Sequence, residues 1–172
     1  MDTACDVGLV YAAGEPIKVY RYTTSPLDLA GRLTNDILTV AELLAPLSRH
    51  EIRTIRGMGA QFSEDPNVTK PAVPVVWYKP VSTLSGPMND IVLPEYVMQH
   101  KPDYEVELCV VIGRDAKNVA VSDALDYVLG YTVANDVTDR ALAAEGGPGF
   151  AKSFDSRSFI DTLHCWVVAQ NI

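Results

Sequence analysis

The sequence predicts an α+β fold in which β-structure dominates. The second half of the chain contains short apolar runs rich in Val, Tyr and Ile, such as residues 75–80 and 103–113, bounded by Pro, Gly or Asn. Apolar residues at helical spacing occur only in short stretches. With 172 residues, of which 48% are hydrophobic and 21% charged, the chain is long enough for one domain with a packed core.

The first 74 residues predict a small sheet, a helix and a loop. Alternating apolar residues over 6–22 predict two short strands joined by a turn at Gly14 to Pro16. Between residues 35 and 48, helical spacing with Thr39 as N-cap and Glu42 three positions later predicts a short helix. Residues 57–74 concentrate Gly, Pro, Ser, Asp and Asn, which is typical of a loop.

From residue 75 onwards the sequence predicts mainly strands. A compact helix is predicted over 122–130, with Ser122 as its cap and Gly130 in the left-handed position after its end. The other predicted elements are strands over 75–80, 90–94, 104–113 and 131–136, a helical turn that leads into a Gly-rich loop over 137–150, and a closing apolar segment over 159–172.

The charge of the chain excludes some classes of partner. A formal net charge of −8 disfavours nucleic acid and anionic membranes, because no basic patch offsets the repulsion. No apolar run approaches the roughly 18 residues that span a bilayer, and the first residues lack a basic n-region, so we expect a cytoplasmic protein. Three widely spaced cysteines predict free thiols, with Cys109 a small core residue.

Two glutamates interrupt the apolar run 103–113. Glu105 and Glu107 are two apart and would project from the same side of a strand, where their charges repel. A shared proton, solvent or a divalent cation could relieve the repulsion, and a half-exposed strand with a solvated polar face would show the same alternation. With Asp136 as a third oxygen donor, the set would suit Mg²⁺, Mn²⁺ or Ca²⁺ rather than zinc.

Several uncommon phrases of the chain resemble the fumarylacetoacetate hydrolase family in order and separation. They are YKPVSTLSGPMNDIVLP, DYEVELCVVIG, DALDYVLGYTVANDVTDR and KSFDS. The resemblance implies a mixed β-sheet roll of that family, incomplete at its C-terminal side. It also implies a division into a small N-terminal subdomain over 1–55 and a C-terminally truncated catalytic domain over 56–172.

The resemblance also implies a site. Mg²⁺ or Mn²⁺ would be held by Glu105, Glu107 and Asp136, and Lys152 would be the catalytic ammonium that faces it. Lys79, Ser82 and Arg140 match family positions that bind substrate or shape the pocket wall, although Arg140 could equally support the site through a salt bridge. The family's substrates are small β-dicarbonyl or 2-oxo acids that chelate the metal. Family members commonly dimerise, so we expect a homodimer.

The chain departs from the family pattern where hydrolytic members carry a His–Glu pair. Gln61, Phe62 and Asp65 stand in that phrase, and neither His100 nor His164 has a pattern of partner residues. After residue 156 the family's usual continuation is also missing. C–C hydrolysis, decarboxylation and keto–enol isomerisation remain open, with the last two favoured. The alternatives are a catalytically impaired remnant that binds a metal or a partner chain, and a β-domain whose acids are only solvated.

Overall fold

The computed structural model describes residues 7–25, 27–28, 30–59, 69, 71–100, 102–147 and 151–152. Short strands dominate this part of the chain. In order they are β1 (Lys18–Tyr22), β2 (Leu33–Thr39), β3 (Ile55–Gly59), β4 (Val75–Lys79), β5 (Pro102–Asp103), β6 (Val106–Ile112), β7 (Val128–Asn135) and β8 (Thr138–Asp139). The predicted α+β class with dominant β-structure is therefore confirmed.

The strands pair as antiparallel ribbons: β1 with β2, β3 with β4, β5 with β8, and β6 with β7. In the longest ribbon, Val106 is opposite Asn135 and Glu107 is opposite Ala134. Asp136, just beyond β7, donates its backbone N–H to the carbonyl of Glu105 at 2.8 Å. The register therefore brings the end of β7 to the start of β6, where the two glutamates lie.

The helices are short. They are α1 (Val7–Ala12), α2 (Glu95–Met98), α3 (Arg140–Gly146) and the 3₁₀ helices Val81–Thr83 and Val121–Tyr127. Asp139 caps α3, because its carboxylate accepts hydrogen bonds from the backbone N–H groups of Ala141 and Leu142. No helix among the described residues is long and apolar enough to cross a membrane.

Two predictions for the N-terminal part are wrong. The first strand predicted within residues 6–22 is helix α1, and only the second, β1, forms. The helix predicted within 35–48, with Thr39 as its N-cap, does not form. Strand β2 continues to Thr39, which is opposite Lys18 of β1, and residues 40–48 contain neither helix nor strand. Helical spacing over so few residues is a weak signal for a helix.

Later elements are predicted better. Strands β4, β6 and β7 and helix α3 lie where the sequence predicts them. Residues 90–94 do not form the predicted strand, and the helix predicted over 122–130 is a 3₁₀ helix that ends at Tyr127. The N-cap position of this helix is occupied by Ala120, not by Ser122 as predicted. Gly130, predicted to follow the helix, is a buried residue of β7. The segments 60–68 and 153–172, including the predicted closing segment, lie outside the described residues.

The core consists of two small clusters. Ile55, Leu84 and Ala134 are buried together, with Cys109 among the partly buried residues packed against them. The second cluster consists of Val97 of α2 and Val137, which lies between β7 and β8. Ala134 of the first cluster is two residues before Asp136, and Val137 of the second directly follows it. The division of the chain at residue 55 stays a prediction.

Candidate metal centre

Three carboxylates meet where β6 begins and β7 ends. Glu105, Glu107 and Asp136 each offer one oxygen, and these oxygens lie within 4.8 Å of one another. Asp136 is 2% exposed, while the two glutamates are half-buried. The structure therefore brings the three predicted metal ligands into one cluster of oxygen donors.

The two glutamates lie on the inner side of β6. Glu105, Glu107 and Cys109 are half-buried, whereas Val106 is 68% and Leu108 71% exposed. Residues two apart in a strand face the same side, so β6 turns its acids inwards and its apolar residues outwards. This burial pattern is opposite to that of a strand with a solvated polar face.

Lys152 lies in contact with the cluster. Its ammonium donates hydrogen bonds to Asp136 Oδ2 at 2.8 Å, to Thr138 Oγ1 at 2.7 Å and to a carboxylate oxygen of Glu105. The residue is 4% exposed. An ammonium has three N–H donors, and each of the three has an oxygen acceptor here.

Lys79 approaches Asp136 from the other side. Its ammonium donates to Asp136 Oδ1 at 2.5 Å and to the backbone carbonyl of Val137 at 3.1 Å. The side chains of Lys79 and Asp136 are 1% and 3% exposed. Burial lowers the pKa of Lys79, and the charge and hydrogen bond of Asp136 act against that shift. Each oxygen of Asp136 therefore has an ammonium partner.

Arg140 contacts the cluster, whereas for Ser82 only its exposure is established. The guanidinium of Arg140 pairs with Glu105 Oε1 at 2.6 Å and with Asp103 Oδ2 at 2.9 Å. The hydrogen bond from Arg140 is the main reason why the pKa of Asp103 lies below its usual value. Ser82 is exposed in the 3₁₀ helix that follows β4. The supporting salt bridge considered for Arg140 is present, and substrate contacts of both residues stay predictions.

Glu107 differs from the other two acids. Burial, followed by the charges of Glu105 and Asp136, raises the pKa of Glu107. Within the part of the chain that the structure describes, its carboxylate has neither a hydrogen bond nor an ion pair. A divalent cation bound by all three acids would compensate this charge, and an oxygen-only donor set suits Mg²⁺, Mn²⁺ or Ca²⁺. The donor set therefore fits a divalent cation that prefers oxygen ligands.

Two contacts of Lys152, and the partner of His100, are not apparent in the sequence. Thr138 accepts a hydrogen bond from Lys152, and the Lys152 ammonium lies 4.9 Å from the centroid of the Trp77 ring. His100 does have a partner, because its Nδ1 is 2.7 Å from Asp139 Oδ2. Thr138 and Asp139 are adjacent in β8 and point to opposite sides, so the His100–Asp139 pair faces away from Lys152. The residues in each contact are far apart in the sequence, so local sequence patterns do not predict these contacts.

The fold and the site define a β-dominated protein with a carboxylate cluster suited to a divalent cation. The family model for the C-terminal domain of fumarylacetoacetate hydrolase matches residues 34–169. The chain therefore belongs to the fumarylacetoacetate hydrolase family, and its small antiparallel ribbons are part of that family's fold.

Relatives of the chain include enzymes of different names. A caffeoylpyruvate hydrolase of Neonothopanus nambi is 44% identical over 165 residues, which is 91% of this chain and 57% of the relative. The human mitochondrial oxaloacetate tautomerase is 38% identical over 98 residues, or 56% of this chain and 31% of the relative. The crystal structure of a 5-carboxymethyl-2-hydroxymuconate delta-isomerase from Mycobacterium smegmatis matches with a TM-score of 0.66 and 28% identity, covering 83% of this chain and 56% of that one. The chain spans about half the length of the first relatives it matches.

Proposed function

We propose that the protein is a divalent-metal-dependent enzyme of this family that acts on a small β-dicarbonyl or 2-oxo acid. The observation that carries the proposal is the inward-facing cluster of Glu105, Glu107 and Asp136, in which the carboxylate of Glu107 has no hydrogen bond or ion pair among the described residues and a raised pKa. A buried ammonium, that of Lys152, touches two of the three acids. Oxygen ligands beside a fixed cationic group are the features that enolate chemistry requires.

Each residue has a role in this proposal. Glu105, Glu107 and Asp136 hold Mg²⁺ or Mn²⁺, which when bound polarises a chelated carbonyl and stabilises an enolate. Lys152 neutralises negative charge that develops on the substrate oxygen. Arg140 and Ser82 contact the acid group of the substrate. Lys79 forms the wall behind Asp136.

Keto–enol isomerisation is the reaction we favour. It requires a polarised carbonyl and a group that stabilises the enolate, whereas hydrolysis also requires an activated water. The sequence lacks the family's His–Glu pair at residues 61–65, which lie outside the described part of the chain. The tautomerase and isomerase names among its relatives support this choice, and the hydrolase name keeps acylpyruvate hydrolysis as the second reaction to test.

Metal binding is tested first by thermal unfolding in EDTA and in Mg²⁺ or Mn²⁺. A ligand at a hundredfold excess over its Kd stabilises the folded state by about 2.7 kcal/mol. For a chain of this size that corresponds to a rise in Tm of about 5–11 °C. Glu107→Ala should lose the rise, and Glu42→Ala, an exposed acid outside the cluster, should keep it. An equal rise in both variants would contradict the metal site.

Turnover is tested next with oxaloacetate and with an acylpyruvate. The proposal expects metal-dependent tautomerisation of oxaloacetate that EDTA abolishes. The alternative is a family remnant that binds a metal or a partner chain without catalysis. Metal stabilisation with no turnover of either compound would favour that alternative.

We also propose that the protein is a homodimer. The outward side of β6 exposes Val106, Leu108, Val110 and Ile112. A row of apolar side chains of this kind commonly marks a surface that another polypeptide covers.

A further inference from the structure

A buried tryptophan lies against the proposed catalytic lysine. Trp77 is 6% exposed, and the Lys152 ammonium is 4.9 Å from the centroid of its ring. This separation is within the roughly 6 Å over which a cation is attracted to an aromatic face. Trp77 and Lys152 are distant in sequence, and no part of the proposed mechanism so far uses the ring.

The backbone of β3 also lies against the ring. Gly57 is paired with Trp77 across the β3–β4 ribbon. A Cβ at Gly57 would overlap the ring atoms Cε2, Cζ2 and Nε1, and a Cβ at Gly59 would lie 3.0 Å from Cζ3. The indole therefore packs directly against the backbone of Gly57 and Gly59, and it cannot move closer to β3 unless β3 itself moves.

We propose that Trp77 is a positioning residue that holds the Lys152 ammonium at the reaction site. This inference rests on the proposed function, in which Lys152 is the catalytic cation. Glu105 and Asp136 also bind the lysine, but they are the residues proposed to hold the metal, so their oxygens are shared. The ring of Trp77 and the hydroxyl of Thr138 are contacts that the lysine does not share with the metal.

The neighbouring strand residue provides a matched control. Tyr78 forms a similar contact, with the Arg56 guanidinium 5.3 Å from its ring centroid. Tyr78 is 59% exposed and points to the opposite side of β4 from Trp77. Removing its ring therefore removes a cation–π contact from the same strand without touching the carboxylate cluster.

The direct test is an NMR measurement of the lysine side-chain ammonium groups. Lys79 and Lys152 are buried and hydrogen-bonded, so their ammonium protons should exchange slowly with water. The resonance that disappears in Lys152→Arg identifies Lys152. We expect the ring current of Trp77 to displace this resonance, and the displacement should be reduced in Trp77→Phe, lost in Trp77→Leu and unchanged in Tyr78→Leu.

Turnover of oxaloacetate with Mg²⁺ provides the second readout. Trp77→Leu should lower kcat by about two- to thirty-fold, the effect expected from removing one cation–π contact. Trp77→Phe, which keeps a ring and is the variant more certain to fold, should recover part of the loss, and Tyr78→Leu should have none. These measurements are made on folded samples, as judged by Tm.

The two readouts separate this inference from the proposed function. A Lys152 resonance that is the same in Trp77→Leu or Trp77→Phe as in the unaltered protein would overturn the positioning role. So would the absence of a slowly exchanging Lys152 ammonium in the unaltered protein. If the unaltered protein turns over neither oxaloacetate nor an acylpyruvate, the proposed function fails, and the NMR result alone decides whether Trp77 holds Lys152.

Discussion

Among the described residues Glu107 has neither a hydrogen bond nor an ion pair, and the charge of Lys152 only partly offsets the effect of burial and of the Glu105 and Asp136 charges on its pKa. Its pKa is raised, so the folded state binds a proton at this group more tightly than the unfolded state does. A raised carboxyl pKa contributes stability below the unfolded value of about 4.3, and that stability is lost as the pH rises through the folded pKa. Above the folded pKa the carboxylate is ionised in both states, and the group opposes folding unless a cation is bound.

Glu107→Gln should therefore have opposite effects with and without metal. In EDTA at pH 7 we expect a higher Tm than that of the unaltered protein, because the neutral amide removes the repulsion with Glu105 and Asp136. In Mg²⁺ the variant should lack the stabilisation expected for the unaltered protein. The measurement is a thermal scan under both conditions, and a lower Tm in EDTA would contradict this account of Glu107.

Lys79→Met should destabilise the protein strongly. Removing one partner of a buried ion pair leaves an uncompensated charge and costs about 3–5 kcal/mol, and Lys152 should keep the loss near the lower end. Arg21→Met breaks an exposed pair with Asp36, whose side chains are 59% and 55% exposed, and should cost less than about 1 kcal/mol. Urea unfolding of both variants gives the comparison. Similar losses in the two variants would show that the Lys79 pair is not stabilising.

The sequence predicts some of these residue contacts and not others. The side shared by Glu105 and Glu107 follows from the two-residue period of a strand. The pairing of Lys79 with Asp136 spans 57 residues, and that of Lys152 with Glu105 spans 47. Local periodicity has no information about such separations, so these contacts depend on the register of β6 with β7 and on the packing of β4 beside them.

At the scale of elements, Asp139 joins three of them. Its carboxylate caps α3, contacts His100 after α2, and lies in the β5–β8 ribbon. Burial alone would raise the pKa of Asp139, but the hydrogen bonds from His100 and from the α3 backbone outweigh it and lower the pKa. A lowered carboxyl pKa gives stability above the unfolded value of about 3.9, and the stability is lost as the pH falls through the folded pKa.

Asp139→Asn should remove this pH dependence while keeping the cap. The amide oxygen can still accept from Ala141 and Leu142, but the negative charge beside His100 is lost. We expect a loss of about 1–2 kcal/mol at pH 6. Below about pH 4 the stability of the variant should fall less than that of the unaltered protein. Asp139→Ala, which also removes the cap, should cost about 1 kcal/mol more. Urea unfolding from pH 7 to pH 3 tests both, and equal acid sensitivity of Asn and Asp would refute the role of the charge.

The success of element prediction depends on pairing partners. Strands β4, β6 and β7 are rich in β-branched and aromatic residues, and this local preference agrees with the strand pairs they join. The predicted helix instead overlaps the end of β2, where Thr39, its predicted N-cap, is extended and paired with Lys18 of β1. Tertiary pairing therefore decided the elements for which the local pattern was ambiguous.

At the scale of the whole molecule, the outward side of β6 is an apolar surface next to the site. Val106, Leu108, Val110 and Ile112 are between 45% and 71% exposed on a single strand. The alternation of β6 could be read from the sequence, but which of its two sides faces the core could not. That choice depends on residues distant in sequence, because Lys152 and Lys79 both bind Asp136 on the inner side of the strand.

Leu108→Lys should weaken self-association without disturbing the carboxylate cluster. Leu108 is 71% exposed and faces away from Glu107, so a lysine there adds charge only to the apolar surface. If a second copy covers this surface, light scattering should give twice the 18.7 kDa chain mass for the unaltered protein and a shift towards the monomer in the variant.

The control is Val121→Lys, at a residue that is 94% exposed and lies in the 3₁₀ helix before β7, and it should leave the mass unchanged. A dimer that withstands Leu108→Lys would place the interface elsewhere, and a monomeric unaltered protein would contradict the homodimer. Metal stabilisation measured on the same samples would show whether the cluster requires the second copy.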